Sequence, residues 1–115
     1  MPNEKRRPPE EDQSRDETLI AQVYALARAI PIGKVMSYGA VGAQCEPPIS
    51  GYICGRIMNR AMDDVPWWRV VAKDGGLPIA KRNPHLARKQ RDLLEEEGVE
   101  FDQEGRVQMD KFSLE

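Results

Sequence analysis

The chain has 115 residues, with 17 lysines and arginines against 19 acidic residues and a formal net charge of −2. This length supports one compact domain, and no apolar run approaches the roughly 20 residues that span a bilayer. The polar residues after Met1 predict no secretory signal, and Cys45 and Cys54 form neither a disulfide framework nor a metal signature. The sequence therefore predicts a cytoplasmic protein with reduced thiols, no metal, no cofactor and no membrane partner.

Charge is distributed unevenly along the chain. Between Arg69 and Arg91 there are seven basic residues and a single acid, Asp74, whereas Asp92 to Glu115 contains nine acids and two bases. Binding depends on the face that a protein presents rather than on its net charge. The basic block keeps a nucleic-acid partner possible, and the acidic segment is interpreted as a solvated face.

Residues 1–15 are rich in proline and charge, and they are predicted to be a disordered leader to a single domain over 16–115. The first helix is predicted to begin at Asp16 or Thr18. Its apolar residues recur at helical spacing as far as Ile30, and Pro31 ends it.

Two short helices are predicted next. Ser37 is a suitable N-cap for the first of them, and Ser50 is a suitable N-cap for the second. The second helix carries a polar and basic face that consists of Arg56, Asn59 and Arg60. Two short helices joined by a tight turn fit a helix-turn-helix.

The stretch 65–71 contains both tryptophans, Trp67 and Trp68, between a proline and an arginine. We expect it to be extended, because valines follow it, and adjacent side chains on an extended segment face opposite sides. One indole then lies in the core and the other lines a pocket. The alternative is a buried strand end in which one tryptophan only fills the core.

The end of the chain completes the predicted fold. A loop over 73–83 leads to a fourth helix from Pro84 to Gly98, and residues 99–109 alternate around a Glu104-Gly105 turn as in a hairpin. The fold class predicted is mainly α, a winged helix-turn-helix-like DNA-binding domain with a small C-terminal hairpin.

Several motifs give residues 19–110 a resemblance to a known family. They are Ile30-Pro-Ile-Gly-Lys-Val, Ser37-Tyr38-Gly, Gly55 with Met58, and Pro66-Trp-Trp-Arg-Val-Val. In this order they resemble the DNA-binding domain of the O6-alkylguanine-DNA alkyltransferases, and more closely their non-catalytic relatives, the alkyltransferase-like proteins.

The central motif departs from that of the active enzymes, which read Pro-Cys-His-Arg-Val. The resemblance places Trp67 at the nucleophilic cysteine and Trp68 at the histidine, and an indole can neither attack carbon nor accept a proton. The typical alkyltransferase-like motif reads Pro-Trp-His-Arg, so Trp68 departs from that group as well. The chain is predicted not to be an enzyme.

The resemblance also implies a pocket that receives a flipped, damaged guanine. Its predicted lining is Trp67, Trp68, Arg69, Val70, Gly75, Gly76 and Lys81. Arg69 is expected to brace the pocket or a phosphate, with a surface salt bridge as the alternative. The loop from Lys73 to Arg82 is expected to border this pocket. Within it, Lys81 or Arg82 is expected to contact phosphate or guanine edges, with a solvated basic loop as the alternative.

The predicted DNA-binding residues are Ser37, Tyr38, Tyr52, Arg56, Asn59 and Arg60. By resemblance, Tyr38 presses on a phosphate to rotate the nucleotide, with half-buried packing as the alternative. The family inserts an arginine from the third helix, lying in the minor groove, into the gap that the base leaves. Tyr52 stands at that position. We favour Tyr52 as the inserted side chain over Arg56, because a flat ring can replace base stacking.

The resemblance thus implies a monomeric, non-enzymatic protein that recognises O6-alkylguanine in double-stranded DNA. It implies transfer of the lesion to nucleotide excision repair proteins, and association with the nucleoid if the host is bacterial. Two alternatives remain open. One is an active suicide alkyltransferase, and the other is a winged-helix transcription regulator.

Overall fold

The computed structural model describes residues 16–61 and 64–115. The predicted disordered leader, 1–15, lies outside the described residues. Within them, no helix is long and apolar enough to cross a membrane.

The first half of the domain consists of three helices, α1 (Glu17–Arg28), α2 (Tyr38–Ala43) and α3 (Gly51–Met58). The N-caps predicted for α2 and α3 are confirmed, and of the two residues predicted to start the first helix, Asp16 is its N-cap. The Asp16 carboxylate accepts from the N–H groups of Thr18 and Leu19, the Ser37 hydroxyl accepts from Ala40 N–H, and the Ser50 hydroxyl accepts from Ile53 N–H. Each cap satisfies N–H groups that have no partner inside the helix.

The helices α2 and α3 pack closely because a glycine faces the connection between them. A Cβ atom on Gly42 would lie 2.5 Å from the carbonyl oxygen of Ile49. Only a residue without a side chain therefore allows this approach, which fixes α3 against α2 as in a helix-turn-helix.

A small parallel sheet joins the two halves of the domain. Strand β1 (Met36–Ser37) pairs with β2 (Val70–Val71), with Met36 opposite Val70 and Ser37 opposite Val71. On the other side of β1, Ser113 forms a parallel bridge with Val35. This topology places the start of α2 directly after the middle strand of a three-stranded arrangement.

The second half contains α4 (Pro84–Glu96) and the short α5 (Met109–Phe112). Between them the predicted hairpin forms around a turn at Gly105, with one antiparallel bridge between Phe101 and Val107. The mainly α fold class with a small C-terminal hairpin is confirmed.

The tryptophan stretch differs from the prediction. Trp67–Arg69 forms one turn of 3-10 helix rather than an extended segment, with Arg69 N–H donating to the Pro66 carbonyl at 3.1 Å. The physical reason is a shared partner, because the side chains of Trp68 and Arg69 both hydrogen-bond Glu97. Adjacent side chains on a strand point to opposite faces and could not do so.

The core consists of two clusters on either side of the sheet. The main cluster combines α1, α2 and α3 with residues from the sheet, including Val23, Ile30, Val41, Ile57 and Val70. The second cluster lies under α4 and consists of Val35, Val71, Leu94, Val99 and Val107. Trp67 packs against the main cluster and Trp68 against the second, so the tryptophan turn bridges the two.

Candidate nucleic-acid interface

A cavity of about 660 Å³ lies between α3 and the 3-10 turn Pro78–Lys81. Its volume is in the range, about 300–1,000 Å³, of sites that bind small ligands. The residues that line it are Tyr38, Gly51, Tyr52, Gly55, Arg56, Asn59, Arg60, Pro78, Ile79 and Arg82. A group the size of a nucleobase can enter it.

The cavity brings together five of the six predicted DNA-binding residues: Tyr38, Tyr52, Arg56, Asn59 and Arg60. Tyr52 is 72% exposed, and the guanidinium of Arg56 lies 5.9 Å from the centre of its ring. Such an arrangement supports the ring from one side by a cation–π contact. The tyrosine therefore stands out from α3 as a flat surface available to a base.

Tyr38 opens α2 and is half-buried where it lines the cavity. Burial, and secondarily the neighbouring Cys54, raise the pKa of Tyr38 to about 12. The phenol therefore stays neutral and keeps a hydroxyl that can donate to a phosphate oxygen.

The lining of the cavity is positively charged. It includes Arg56, Arg60 and Arg82 and contains no acidic residue. The part of the chain that the structure describes places no carboxylate in ion-pair contact with Arg60 or Arg82. Exposed arginines beside a cavity are suited to contact the sugar-phosphate backbone.

The residues predicted to line the lesion pocket are arranged differently, and none of them lines this cavity. Trp68 and Arg69 belong to a hydrogen-bond network around Glu97. The carboxylate of Glu97 accepts from Trp68 Nε1 at 2.9 Å, from Arg69 Nε and Nη2 at 3.0 and 2.8 Å, and from Gly33 N–H at 3.0 Å. Arg69 Nη1 also donates to the carbonyl of Ile30 at 2.9 Å.

This network is largely shielded from solvent, since the side chains of Arg69 and Glu97 are 12% and 13% exposed. Burial by itself raises the pKa of Glu97. The hydrogen bonds from Arg69, Gly33 and Trp68, together with the charge of Arg69, outweigh that effect and lower its pKa. Arg69 thus joins three segments of the chain, and its ion pair with Glu97 is shielded from solvent rather than being a surface salt bridge.

Trp67 is half-buried and packs against the main core, with its ring 5.9 Å from that of Trp68 in an edge-to-face arrangement. Val70 is fully buried in that core. Lys81 is exposed at the end of the 3-10 turn, on the outside of the segment whose Pro78 and Ile79 line the cavity.

The two glycines of the predicted pocket form a turn. Gly75 has a φ of +87°, and a Cβ atom there would lie 2.3 Å from the carbonyl oxygen of Val107. Its own carbonyl accepts from Val107 N–H at 2.9 Å, and Gly76 N–H donates to Asp74 at 2.9 Å. The close backbone approach that Gly75 allows is to the hairpin, Gly76 adjoins the side chain of Asp74, and neither glycine lines the cavity.

Ser37, the sixth predicted DNA-binding residue, is 3% exposed. Its hydroxyl accepts from Ala40 N–H and donates to the carboxylate of Glu115. The fold therefore uses the hydroxyl internally as the cap of α2.

Sequence reasoning missed three contributors to this architecture. Pro78 and Ile79 line the cavity; their loop was expected to border the pocket, but nothing in the sequence distinguishes these two residues from the rest of it. Glu97 holds the tryptophan turn but lies within a run of three glutamates. Gln90 is buried and its Nε2 donates to the carbonyls of Trp68 and Val70 at 3.2 Å. Gln90 lies four residues from Leu86 and from Leu94, and this helical spacing indicates that it shares their buried face.

The described residues offer little for covalent or metal chemistry. They contain no group of three side chains that could hold a metal ion. Cys45 and Cys54 are buried, and burial raises the pKa of both thiols, that of Cys54 to about 12. A reactive cysteine has a lowered pKa and access to solvent, so neither has the surroundings of a nucleophile.

Comparisons with known proteins agree with this geometry. The family model described as the DNA-binding domain of 6-O-methylguanine DNA methyltransferase matches residues 18–99. Alkyltransferase-like protein 1 of Schizosaccharomyces pombe is 35% identical over 90 residues, which is 76% of this chain and 82% of the relative. The DNA base-flipping protein of Escherichia coli is 29% identical over 107 residues, covering 91% of this chain and 81% of the relative.

A solved structure is similar as well. The S. pombe Atl1 in complex with damaged DNA that contains O6-carboxymethylguanine superposes with a TM-score of 0.72 at 29% identity. The match covers 86% of this chain and 96% of that chain.

Proposed function

The chain belongs to the family of the 6-O-methylguanine DNA methyltransferase DNA-binding domain and, within it, to the alkyltransferase-like proteins, and from this we propose how it acts on DNA. It recognises O6-alkylguanine in double-stranded DNA without chemical change to the base. The damaged nucleotide rotates out of the helix and enters the cavity between α3 and the 78–81 turn.

The observation that carries this proposal is the cavity itself. It adjoins the helix that presents Tyr52, Arg56 and Arg60, and its lining combines aromatic and cationic side chains without an acid. Extruding a base costs a few kcal/mol, and the cost is lowest for a base that pairs poorly. O6-alkylation weakens pairing, so a cavity that accepts any flipped guanine selects the lesion.

In this proposal Tyr52 fills the gap that the flipped base leaves. Of the two candidates for this insertion, Tyr52 is more exposed than Arg56, and the guanidinium of Arg56 lies 5.9 Å from the centre of the Tyr52 ring. Stacking on an aromatic ring contributes about 1–3 kcal/mol per base. Arg56 then supports the ring, while Asn59 and Arg60 contact the backbone of the duplex.

The absence of methyl transfer follows from the residues at the positions of the family's reactive pair. Trp67 and Trp68 supply no nucleophile and no base, and Trp68 Nε1 donates to Glu97. The two thiols are buried with raised pKa values, which also disfavours a rerouted alkyltransferase. The cavity beside a basic helix favours lesion recognition over a regulator that reads undamaged sequence.

We propose further that the protein acts as a monomer and that the bound lesion is passed to nucleotide excision repair proteins. The support is the family resemblance. A flipped base held without chemistry has to be repaired by another system, and a protein that shields it would mark the site.

The decisive experiment is a titration of the protein against two duplexes that differ only in O6-methylguanine or guanine at one position. We expect tighter binding to the damaged duplex and an unchanged protein mass after incubation. Equal affinities would contradict lesion recognition, and a protein heavier by one methyl group would identify an enzyme.

Trp67 requires a separate arm of this experiment, because its indole does not line the cavity. The resemblance implies that the indole contacts the flipped base, and in that case Trp67→Ala should lower the preference for the damaged duplex more than it lowers affinity for the undamaged one. If both affinities fall equally, Trp67 serves only the core, and the aromatic contact to the base comes from the tyrosines.

A further inference from the structure

The segment after α5 lies along β1 as an additional strand. Val35 N–H donates to the carbonyl of Phe112, and Leu114 N–H donates to the carbonyl of Val35, both at 3.0 Å. Together with the bridge between Val35 and Ser113, these bonds make β1 the middle strand between this segment and β2. The segment is thereby held in register beside the residues that lead into α2.

This register places the side chain of Glu115 against the start of α2. One carboxylate oxygen accepts from Ser37 N–H at 2.7 Å, and the other accepts from the Ser37 hydroxyl at 3.2 Å. One side chain therefore holds both the N–H and the hydroxyl of Ser37, and the 2.7 Å bond from the N–H has the short length of a charge-assisted hydrogen bond. No other side chain in the described residues hydrogen-bonds Ser37.

The next residue along the chain is Tyr38, which lines the cavity. The helix that it opens, α2, has only six residues, and a helix that short depends on its cap and on packing rather than on its own hydrogen bonds. Ser37 is that cap. A shift of Ser37 moves the first turn of α2 and with it the phenol of Tyr38.

We propose that Glu115 is a positioning residue for Tyr38, which it holds through Ser37 in the orientation that favours the extruded nucleotide. The inference rests on the proposed function, because it assigns Tyr38 a part in base flipping. Glu115 itself touches no DNA. Its contribution is to lesion recognition, whereas general attraction to the duplex comes from the arginines of α3.

The test compares Glu115→Ala with the wild-type chain on the damaged and undamaged duplexes. A second readout is the fluorescence of 2-aminopurine placed beside O6-methylguanine, which rises when its neighbour leaves the stack. We expect the preference for the damaged duplex to fall about fivefold, less than the full loss of hydrogen bonds to a charged group, because Glu115 acts on Tyr38 only through Ser37. The fluorescence rise at saturating protein should fall too, and affinity for the undamaged duplex should be unchanged.

Asp110→Ala is the matched control. Asp110 is exposed in the same part of the chain, carries the same charge and makes no hydrogen bond or ion pair within the described residues. It should leave the preference and the fluorescence unchanged. Glu115→Gln keeps an oxygen that can accept from Ser37 N–H, and it should restore most of the fluorescence rise.

Three results would overturn the inference. Glu115→Ala could match the wild type in both readouts, or Glu115→Ala and Asp110→Ala could change binding to both duplexes equally, which would be an effect of charge alone. It could also raise the preference for the lesion, which would identify the carboxylate as an inhibitor. A wild-type chain that does not discriminate between the duplexes would instead refute the proposed function, and this inference with it.

Discussion

Two arginine–aromatic pairs in this protein have similar distances between guanidinium and ring but differ in their surroundings. Arg69 lies 5.5 Å from the ring centre of Trp68, and Arg56 lies 5.9 Å from that of Tyr52. The first pair is bound by Glu97 and largely hidden from solvent, whereas the second faces a cavity with its tyrosine exposed. A buried carboxylate thus distinguishes a pair that holds the fold from a pair that is available to DNA.

The largest expected effect comes from removing the carboxylate of the buried pair. Glu97→Ala leaves Arg69 without its ion-pair partner and Trp68 Nε1 without an acceptor, both in poorly solvated surroundings. We expect the free energy of unfolding to fall by about 3 kcal/mol, as measured by urea denaturation. Glu100→Ala is the control, because Glu100 forms an exposed ion pair with Lys111, and its loss should cost at most about 0.5 kcal/mol.

The stability that Glu97 contributes also depends on pH. The pKa of Glu97 is lower in the folded chain than its ordinary value, so its contribution to stability is complete above the ordinary pKa and declines as the pH falls through the lowered one. The stability difference between the wild type and Glu97→Ala should therefore shrink in acid. A difference that is constant with pH would show that the ionised carboxylate is not what stabilises the turn.

The exposed pair should respond in the opposite way, with a loss of binding and no loss of stability. Tyr52→Ala removes the surface on which a base would stack, and we expect affinity for the damaged duplex to fall about tenfold. Unfolding should change by less than about 0.5 kcal/mol because the side chain is exposed. Tyr52→Phe keeps the ring and should bind nearly as the wild type does. Weak binding by Tyr52→Phe would mean that the hydroxyl rather than the ring carries the effect.

The smallest effect is expected at Arg60, a cation of the same surface. Arg60→Ala should weaken binding to damaged and undamaged duplexes alike, by a few-fold, and should reduce the slope of log K against log salt by about 1. Arg106→Ala serves as the control, because Glu104 and Asp74 already neutralise that guanidinium. An unchanged salt slope in Arg60→Ala would remove Arg60 from the set of phosphate contacts.

Much of the fold could be predicted because its signals are local. Ser37 and Ser50 cap their helices from one residue away, and Pro84 begins α4 where its missing N–H costs nothing. These residues act within one turn of the chain. The polar face of α3 is likewise set by the spacing of residues along one helix, so four of the residues that line the cavity were identified in the sequence: Tyr52, Arg56, Asn59 and Arg60.

The loop over 73–82 was expected to border the pocket, but the residues of it that line the cavity and the form of the tryptophan turn could not be predicted, because both depend on distant partners. Glu97 is 28 residues from Arg69, and no periodicity relates the two. For this reason the side chains of Trp68 and Arg69 do not point to opposite faces, as they would on the predicted extended segment. Pro78 and Ile79 reach the cavity only because Gly75 folds the loop back onto Val107, a contact between residues 32 positions apart.

The loop that carries Pro78 and Ile79 is held in place by hydrogen bonds at both of its ends. At one end the Gly75 turn is bonded to Val107, and at the other α4 is fastened to the sheet by Gln90. Because the loop is fixed at both ends, we expect it to move little and the entrance of the cavity to keep its shape when DNA binds. The bending and unstacking that admit the nucleotide then fall on the DNA, whose local stiffness decides how readily each site opens.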